Sequence, residues 1–318
     1  GLSEIQRFRI CCSRPGRGYC DQFEAALIYR AMRMLLNLLV SLCIVYLAMV
    51  LLVYLGQSRL VYFPDKQLSN TPAMFGLDYS SVSIATADGE TLHGWWVPVP
   101  DATGTVLFFH GNAGNISHRI NYLTMFKRLG YNTLLFDYRG YGESGGTPSE
   151  SGTYLDAQAA WQYLTVTQKI APEQIALFGE SLGGAMAAWL AAREKPGLLV
   201  LASTFTSVSD LATQIYPFLP VRWISRFEYN TLGSLQSVTC PVFIAHSPQD
   251  EIVPFQHGQR LFQAASGVKQ FLTLQGGHNN GFVFMQPAWQ KALGAFMDGN
   301  LNTLPQIPAT ADQPRQQP

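Results

Sequence analysis

Charge is scarce in this chain. Only 13% of its 318 residues are Asp, Glu, Lys or Arg, and 21 basic residues offset 21 acidic ones to a formal net charge of zero. A neutral chain without a basic cluster lacks the electrostatic footprint of a nucleic-acid binder, so no nucleic-acid partner is expected. Cysteine is equally sparse. Of the five, Cys11, Cys12 and Cys20 lie in an N-terminal tail and Cys43 in a hydrophobic run, which leaves Cys240 alone downstream. No disulfide can form within that downstream region, and its fold does not depend on an oxidising compartment. No Cys/His spacing suggests zinc, and neither a phosphate loop nor a dinucleotide fingerprint occurs. No cofactor and no metal are expected.

Apolar residues are abundant, at 47% of the chain. Residues 34–55 form an uninterrupted Leu-, Val-, Ile- and Ala-rich run, and no charge appears between Arg33 and Arg59. At 1.5 Å per residue this is roughly 33 Å of helix, enough to cross a bilayer core. A transmembrane anchor over 34–56 is therefore expected, with Tyr46, Tyr54 and Tyr62 towards the interfaces. A cleaved signal peptide is the rival reading, weakened by the length of the run and the poor cleavage site at Tyr54-Leu55-Gly56-Gln57-Ser58. Arg7, Arg9, Arg14, Arg17, Arg30 and Arg33 precede the run, and only Arg59 and Lys66 follow closely. That bias places the remainder of the chain on the non-cytoplasmic side. The tail, residues 1–33, has arginine but no lysine and no clear periodicity. Met32 or Met34 is an alternative start, which would remove most of the bias.

The chemistry centres on Gly179-Glu180-Ser181-Leu182-Gly183. It follows the apolar run Gln174-Ile175-Ala176-Leu177-Phe178 and opens an Ala-rich segment. Strand, sharp turn and helix with serine at the turn project the hydroxyl clear of a sheet, and Gly179 and Gly183 remove Cβ atoms that would crowd it. A serine hydroxyl needs a base, and the base needs an orienting acid. In this context the order is Ser, then Asp or Glu, then His. Three histidines follow Ser181. His278 sits in a Gly-rich loop after a strand at 270–274 and is the base. His257 reads as a surface residue of an early helical turn, and His246 as structural or pocket-lining. The acid is Asp250, after the strand at 242–245; Glu251 reads as a solvated loop acid and Asp210 as a fallback on the surface. A strand at 105–109 runs into His110-Gly111-Asn112-Ala113-Gly114-Asn115. The backbone N–H groups of Asn112 and Leu182 are the expected oxyanion donors, with Gly111 allowing close approach and His110 bracing the loop.

These motifs, with Asp137-Tyr138-Arg139-Gly140-Tyr141-Gly142-Glu143-Ser144, resemble those of the α/β-hydrolase superfamily, and more narrowly its membrane-anchored Bem46-like branch with a serine aminopeptidase-type domain. The similarity runs from about residue 59 to 296. It implies Ser181, Asp250 and His278 as the triad, in agreement with the residues themselves. His-Gly-Asn replaces the multi-glycine oxyanion loop of many lipases, and Glu180 stands where histidine is common in relatives.

The expected fold is α/β: a mostly parallel sheet with helices on both faces, an antiparallel hairpin (80–85 and 92–97 about Asp88-Gly89) at one end, and a small helical cap at about 203–240. The hydrolase domain is expected over 57–300, with a disordered Gln- and Pro-rich tail at 301–318. The segment 203–240 is greasy and interrupted by Pro217 and Pro220. It either covers the site and favours an acyl chain or packs onto the sheet. The expectation is a membrane-anchored serine hydrolase acting on an ester or thioester of a small or lipid-like acyl substrate. A peptidase, aminopeptidase or amidase is the alternative within enzymes, and a non-catalytic membrane scaffold is the alternative outside them.

Overall fold

The computed structural model describes residues 17–301, so the segments 1–16 and 302–318 of the expected tails lie outside the described residues. The chain divides into two compact units, Gly1–Gly56 and Gln57–Pro318. Helix α1, Arg17–Val61, begins well before the apolar run and ends beyond it. Ala25, Ala26, Leu27 and Met32 are good helix formers, and no proline interrupts until Pro64, which requires Phe63 to be extended. The part of α1 from Gln22 to Val61 has a mean hydropathy of 2.8 in its most apolar window, none of it buried, and is long and apolar enough to cross a membrane.

The second unit opens with the short strand β1 (Phe63–Pro64) and the hairpin β2 (Ser80–Ala85) and β3 (Thr91–Val97). Then follow β4 (Gly104–Phe109), β5 (Ala113–Gly114), α2 (Ile120–Arg128), β6 (Tyr131–Phe136), α3 (Glu150–Gln162), β7 (Ile175–Glu180), α4 (Leu182–Glu194) and β8 (Leu198–Ala202). A segment with short helices α5 (Val208–Ile215), α6 (Val221–Ile224) and α7 (Thr231–Leu235) leads to β9 (Val242–His246), α8 (Gln256–Ala264), β10 (Lys269–Thr273) and α9 (Pro287–Asn300). The Ser149 side chain accepts the Gly152 N–H and caps the start of α3.

The main sheet has the order β10-β9-β8-β7-β4-β6-β3-β2. From β10 to β6 all neighbours are parallel, whereas β3 pairs antiparallel with β6 and with β2. The central strands are apolar without alternation because helices cover both faces. Leu107, Phe109, Leu177 and Leu201 pack with α3, α4 and α8 through Trp161, Met186 and Leu261. Val106, Phe108, Phe178 and Val200 face the other way, against α2 and α9 through Phe126 and Leu293. This parallel arrangement aims the carboxyl ends of β4, β7 and β9 and the loop after β10 at one edge, where open α/β sheets place their ligands.

The motif 137–144 is structural. Arg139 places Nε 2.9 Å from Asp156 Oδ1 and Nη1 2.7 Å from Asp88 Oδ2. One guanidinium thereby ties the β2–β3 turn to α3. Burial raises the Asp156 pKa despite the opposing hydrogen bonds from Arg139. Its side chain is fully enclosed, so removing the partner would strand a charge in the interior. Arg139→Ala is expected to destabilise the second unit by about 3–5 kcal/mol. Thermal melting of the variant against wild type measures this loss.

The segment between β8 and β9 is divided. Phe205, Val221, Phe227, Tyr229 and Leu235 are buried in the core. Ile215, Tyr216, Phe218 and Trp223 are exposed, Trp223 to 91%. The segment is thus neither packed wholly onto the sheet nor turned wholly inward.

Candidate active site

β7 ends at Glu180 and α4 begins at Leu182, so Ser181 alone makes the turn. Its φ of 52° and ψ of −117° lie where residues bearing a Cβ rarely sit. Two hydrogen bonds hold it there: Ser181 N–H donates to Ala202 O at 2.9 Å, and the Thr204 hydroxyl donates to Ser181 O at 2.6 Å. The flanking glycines are required by contact. A Cβ on Gly179 would stand 2.5 Å from Gly184 Cα, and one on Gly183 would strike the carbonyl of Phe109. Gly183 therefore lets α4 approach the end of β4, where the loop His110–Asn115 begins.

The loop after β10 brings His278 to Ser181. His278 Nε2 lies 3.0 Å from Ser181 Oγ, and His278 Nδ1 lies 2.8 Å from Asp250 Oδ2. A carboxylate only accepts, so the proton resides on Nδ1 and Nε2 is left to accept from the serine hydroxyl. The Asp250 side chain is fully enclosed. Burial alone would raise its pKa, but hydrogen bonds from His246, His278 and the Val253 N–H together hold the carboxyl well below the usual carboxylate range. Asp250 Oδ1 accepts from Ile252 N–H at 3.0 Å and Val253 N–H at 2.7 Å. His246 backs it: Nε2 stands 3.3 Å from Asp250 Oδ2 and donates to Val253 O at 2.9 Å. The pocket-lining alternative for His246 gives way to a structural one.

Glu251 differs from its reading as a merely solvated acid. It is exposed, yet its Oε2 accepts the His278 N–H at 2.9 Å. No sequence signal marks this bond, because its partner is a backbone N–H. His257 corrects another expectation: it is fully buried, not a surface residue. With Gly258 and Leu261 it forms the inner face of α8, and Nδ1 accepts the Thr206 N–H at 3.2 Å. Burial, then the positive charge of Arg260, pushes its pKa down to about 4. Asp210 bonds Thr206 at 2.9 Å and Arg260 at 3.0 Å, away from His278.

On the opposite side of Ser181, His110 is buried and its Nδ1 donates to Gly111 O at 2.7 Å. Asn112 is clamped through its carbonyl, which accepts from Phe63 N–H at 3.1 Å and Tyr141 Oη at 2.8 Å, and through Nδ2, which donates to Val61 O at 3.1 Å. A Cβ on Gly111 would lie 3.6 Å from Ser181 Cβ, so this loop borders the serine directly. Glu180 Oε1 pairs with Arg119 Nη2 at 3.0 Å behind the same loop, which accounts for a carboxylate at that elbow position. Among the described residues, no cluster of three His, Cys, Asp or Glu side chains is disposed to hold a metal ion.

Residues 104–227 match the family model described as alpha/beta hydrolase fold. An uncharacterized protein of Mycobacterium tuberculosis is 41% identical over 202 residues, 63% of this chain and 72% of its own. The alpha/beta hydrolase domain-containing protein WAV2 of Arabidopsis thaliana is 36% identical, covering 62% and 70%. Protein bem46 of Schizosaccharomyces pombe is 33% identical, covering 65% and 73%. A solved esterase of Pyrococcus furiosus superposes with a TM-score of 0.63 at 22% identity, over 76% of this chain and all of its own. The chain belongs to the α/β-hydrolase fold family. Within it, the chain belongs to the Bem46-like group.

Two outcomes follow from this geometry. Glu251→Ala frees the His278 backbone and is expected to lower kcat about 10²-fold, the scale of a 1 Å misplacement, with KM little changed in steady-state hydrolase kinetics. For His257, the unfolded chain takes up a proton near pH 6.5 and the folded chain only near pH 4. Acidification through that window therefore favours unfolding. His257→Gln is expected to lose less Tm than wild type between pH 6.5 and 4, which scanning calorimetry at stepped pH would record.

Proposed function

We propose that this protein is a membrane-anchored serine hydrolase that cleaves carboxylic ester or thioester bonds. One observation carries the reading: a strained serine, a histidine and an enclosed carboxylate lie in unbroken hydrogen-bond sequence at 3.0 and 2.8 Å. Ser181 Oγ attacks the acyl carbonyl and its proton passes to His278 Nε2. Asp250 holds the ring orientation and stabilises the imidazolium. The tetrahedral oxyanion forms towards the Asn112 and Leu182 N–H groups, for which no protein acceptor occurs among the described residues. Collapse expels an alkoxide or thiolate that takes the proton from His278. Water then attacks the acyl-enzyme, giving its proton to the same nitrogen, and the free acid leaves. An ester or thioester is favoured over an amide because its leaving group departs more readily.

α1 supplies the anchor in this reading, since its length, hydropathy and exposed side chains suit lipid. Arg7, Arg9, Arg14, Arg17, Arg30 and Arg33 before the run, against Arg59 and Lys66 after it, favour the non-cytoplasmic side for the second unit. A tethered enzyme of this kind meets lipid-like acyl substrates at high local concentration.

Reaction with a fluorophosphonate probe tests the assignment. Wild type is expected to label and Ser181→Ala not to, with turnover of p-nitrophenyl esters falling on the order of 10⁶-fold. Asp250→Asn should keep the fold and lose about 10⁴-fold in kcat by presenting the wrong tautomer. Folded wild type that takes no label would overturn the triad.

A further inference from the structure

The segment between β8 and β9 exposes a run of large apolar side chains on an otherwise ordinary surface. Ile215 is 45% exposed, Tyr216 41%, Phe218 60% and Trp223 91%. All four lie between the end of α5 and the middle of α6. Single exposed apolar residues are common, but four large ones within nine positions mark a contact surface.

The structure indicates where this surface stands in the chain. Gln57, the first residue after Gly56 and the first of the second unit, is itself nearly buried. Its Nε2 donates to Ile224 O at 2.7 Å, and its Oε1 accepts the Arg226 N–H at 2.8 Å. One amide therefore clamps both backbone groups on the far side of Trp223. The residue it belongs to directly follows the apolar run 34–56. If that run spans a bilayer, Gln57, Ser58 and Arg59 lie at headgroup level, and the clamp places Ile224 and Arg226, next to Trp223, at the same level.

The composition of the segment suits that position. From Leu211 to Phe227 the only charged residues are Arg222 and Arg226, and no acid appears. Both arginines are exposed. Tryptophan and tyrosine favour the membrane–water interface, and arginines beside them attract anionic headgroups. Pro217 and Pro220 keep α5 and α6 short, so the apolar side chains are displayed on a turn and do not form a helix able to insert deeply.

We infer that Ile215, Tyr216, Phe218 and Trp223, flanked by Arg222 and Arg226, form a second membrane contact that beds the segment before β9 into the lipid interface beside the exit of α1. The inference rests on the anchoring role assigned to α1. The occupant is the lipid surface itself, since the clamp through Gln57 makes this face continuous with the membrane exit. A single helix would leave the second unit free to swivel. A second contact on the cap segment fixes its orientation and presents that segment to bilayer-borne acyl chains.

Photocrosslinking of the full chain in phosphatidylcholine and phosphatidylglycerol vesicles tests this, using a phospholipid with a diazirine on its acyl chain near the glycerol and mapping adducts by mass spectrometry. Adducts are expected within 34–56 and again within 215–223, with Val166, equally exposed elsewhere, unlabelled. Adducts in 34–56 without any in 215–223 would mean that a second copy or another protein covers this face, and would overturn the inference while leaving the anchor standing. Absence from both segments would overturn the anchor and the inference with it. In a second measurement, the double variant Phe218→Ser, Trp223→Ser is expected to lose about tenfold in turnover of a long-chain ester embedded in vesicles and less than twofold on a water-soluble acetate ester. Equal turnover of the embedded ester by variant and wild type would overturn it as well.

Discussion

The structure is organised around a serine held at φ 52°. Such a backbone does not persist on local preference; neighbouring atoms must over-determine it. Here the constraint comes from both sides of the turn. β8 accepts the Ser181 N–H through Ala202, and Thr204, just beyond β8, donates to its carbonyl. The register of β7 against β8 is thus part of the site. So is the helix that follows, because Gly183 and Gly184 let α4 settle against Phe109 and Thr204 at distances no side chain permits. The strain, the parallel sheet and the small-residue face of α4 form one requirement.

The same requirement explains what the sequence displayed and what it concealed. A glycine-flanked serine between an apolar strand and an alanine-rich helix is a local pattern, as are the apolar runs of β4, β6, β7 and β9, so these were readable without tertiary information. Ser181, His278 and Asp250 come together because each lies just beyond a strand's carboxyl end, and the alternation of elements makes those strands parallel. His257 was not readable in this way. A nine-residue amphipathic helix shows that one face is inside, but a histidine sits naturally on either face, and only the approach of Thr206 decides it. Glu251 was hidden for a related reason. Its bond runs to a backbone N–H, and backbone groups carry no sequence signature. The extent of α1 beyond 34–56 reflects helix propensity, which continues where hydrophobicity stops. The apolar insert also divided on tertiary grounds: Phe227 and Tyr229 packed inside against Tyr62 and Tyr154, while Phe218, edge-on to Tyr216, and Trp223 stayed exposed.

His278 is held twice. Asp250 holds the His278 ring and Glu251 holds the His278 backbone, so two adjacent carboxylates fix one residue at both ends. Gln249, one position earlier, accepts the Gly276 N–H at 2.8 Å and anchors the start of the same loop. A loop of glycines and asparagines would otherwise sample many conformations, and each would move Nε2 relative to the serine. Three consecutive side chains from the turn after β9 restrict it before substrate arrives, which lowers the cost of organising the site at the moment of reaction.

The loop on the other side of Ser181 is built on the opposite principle. The loop His110–Asn115 has few side chains that reach the serine, and its fixed points are its carbonyls. Tyr138 donates to His110 O at 2.8 Å, His110 to Gly111 O, and Phe63 and Tyr141 to Asn112 O. With these carbonyls occupied by interior donors, the Asn112 N–H is the group of this loop left beside Ser181 without a protein acceptor among the described residues. A hydrolytic site needs unoccupied donors, yet an unoccupied buried donor is costly and ordinarily selected against. Tying down the His110, Gly111 and Asn112 carbonyls keeps the backbone from rotating to satisfy that donor internally. In the proposed mechanism, the rigidity of the carbonyls is what preserves an N–H for a developing negative charge.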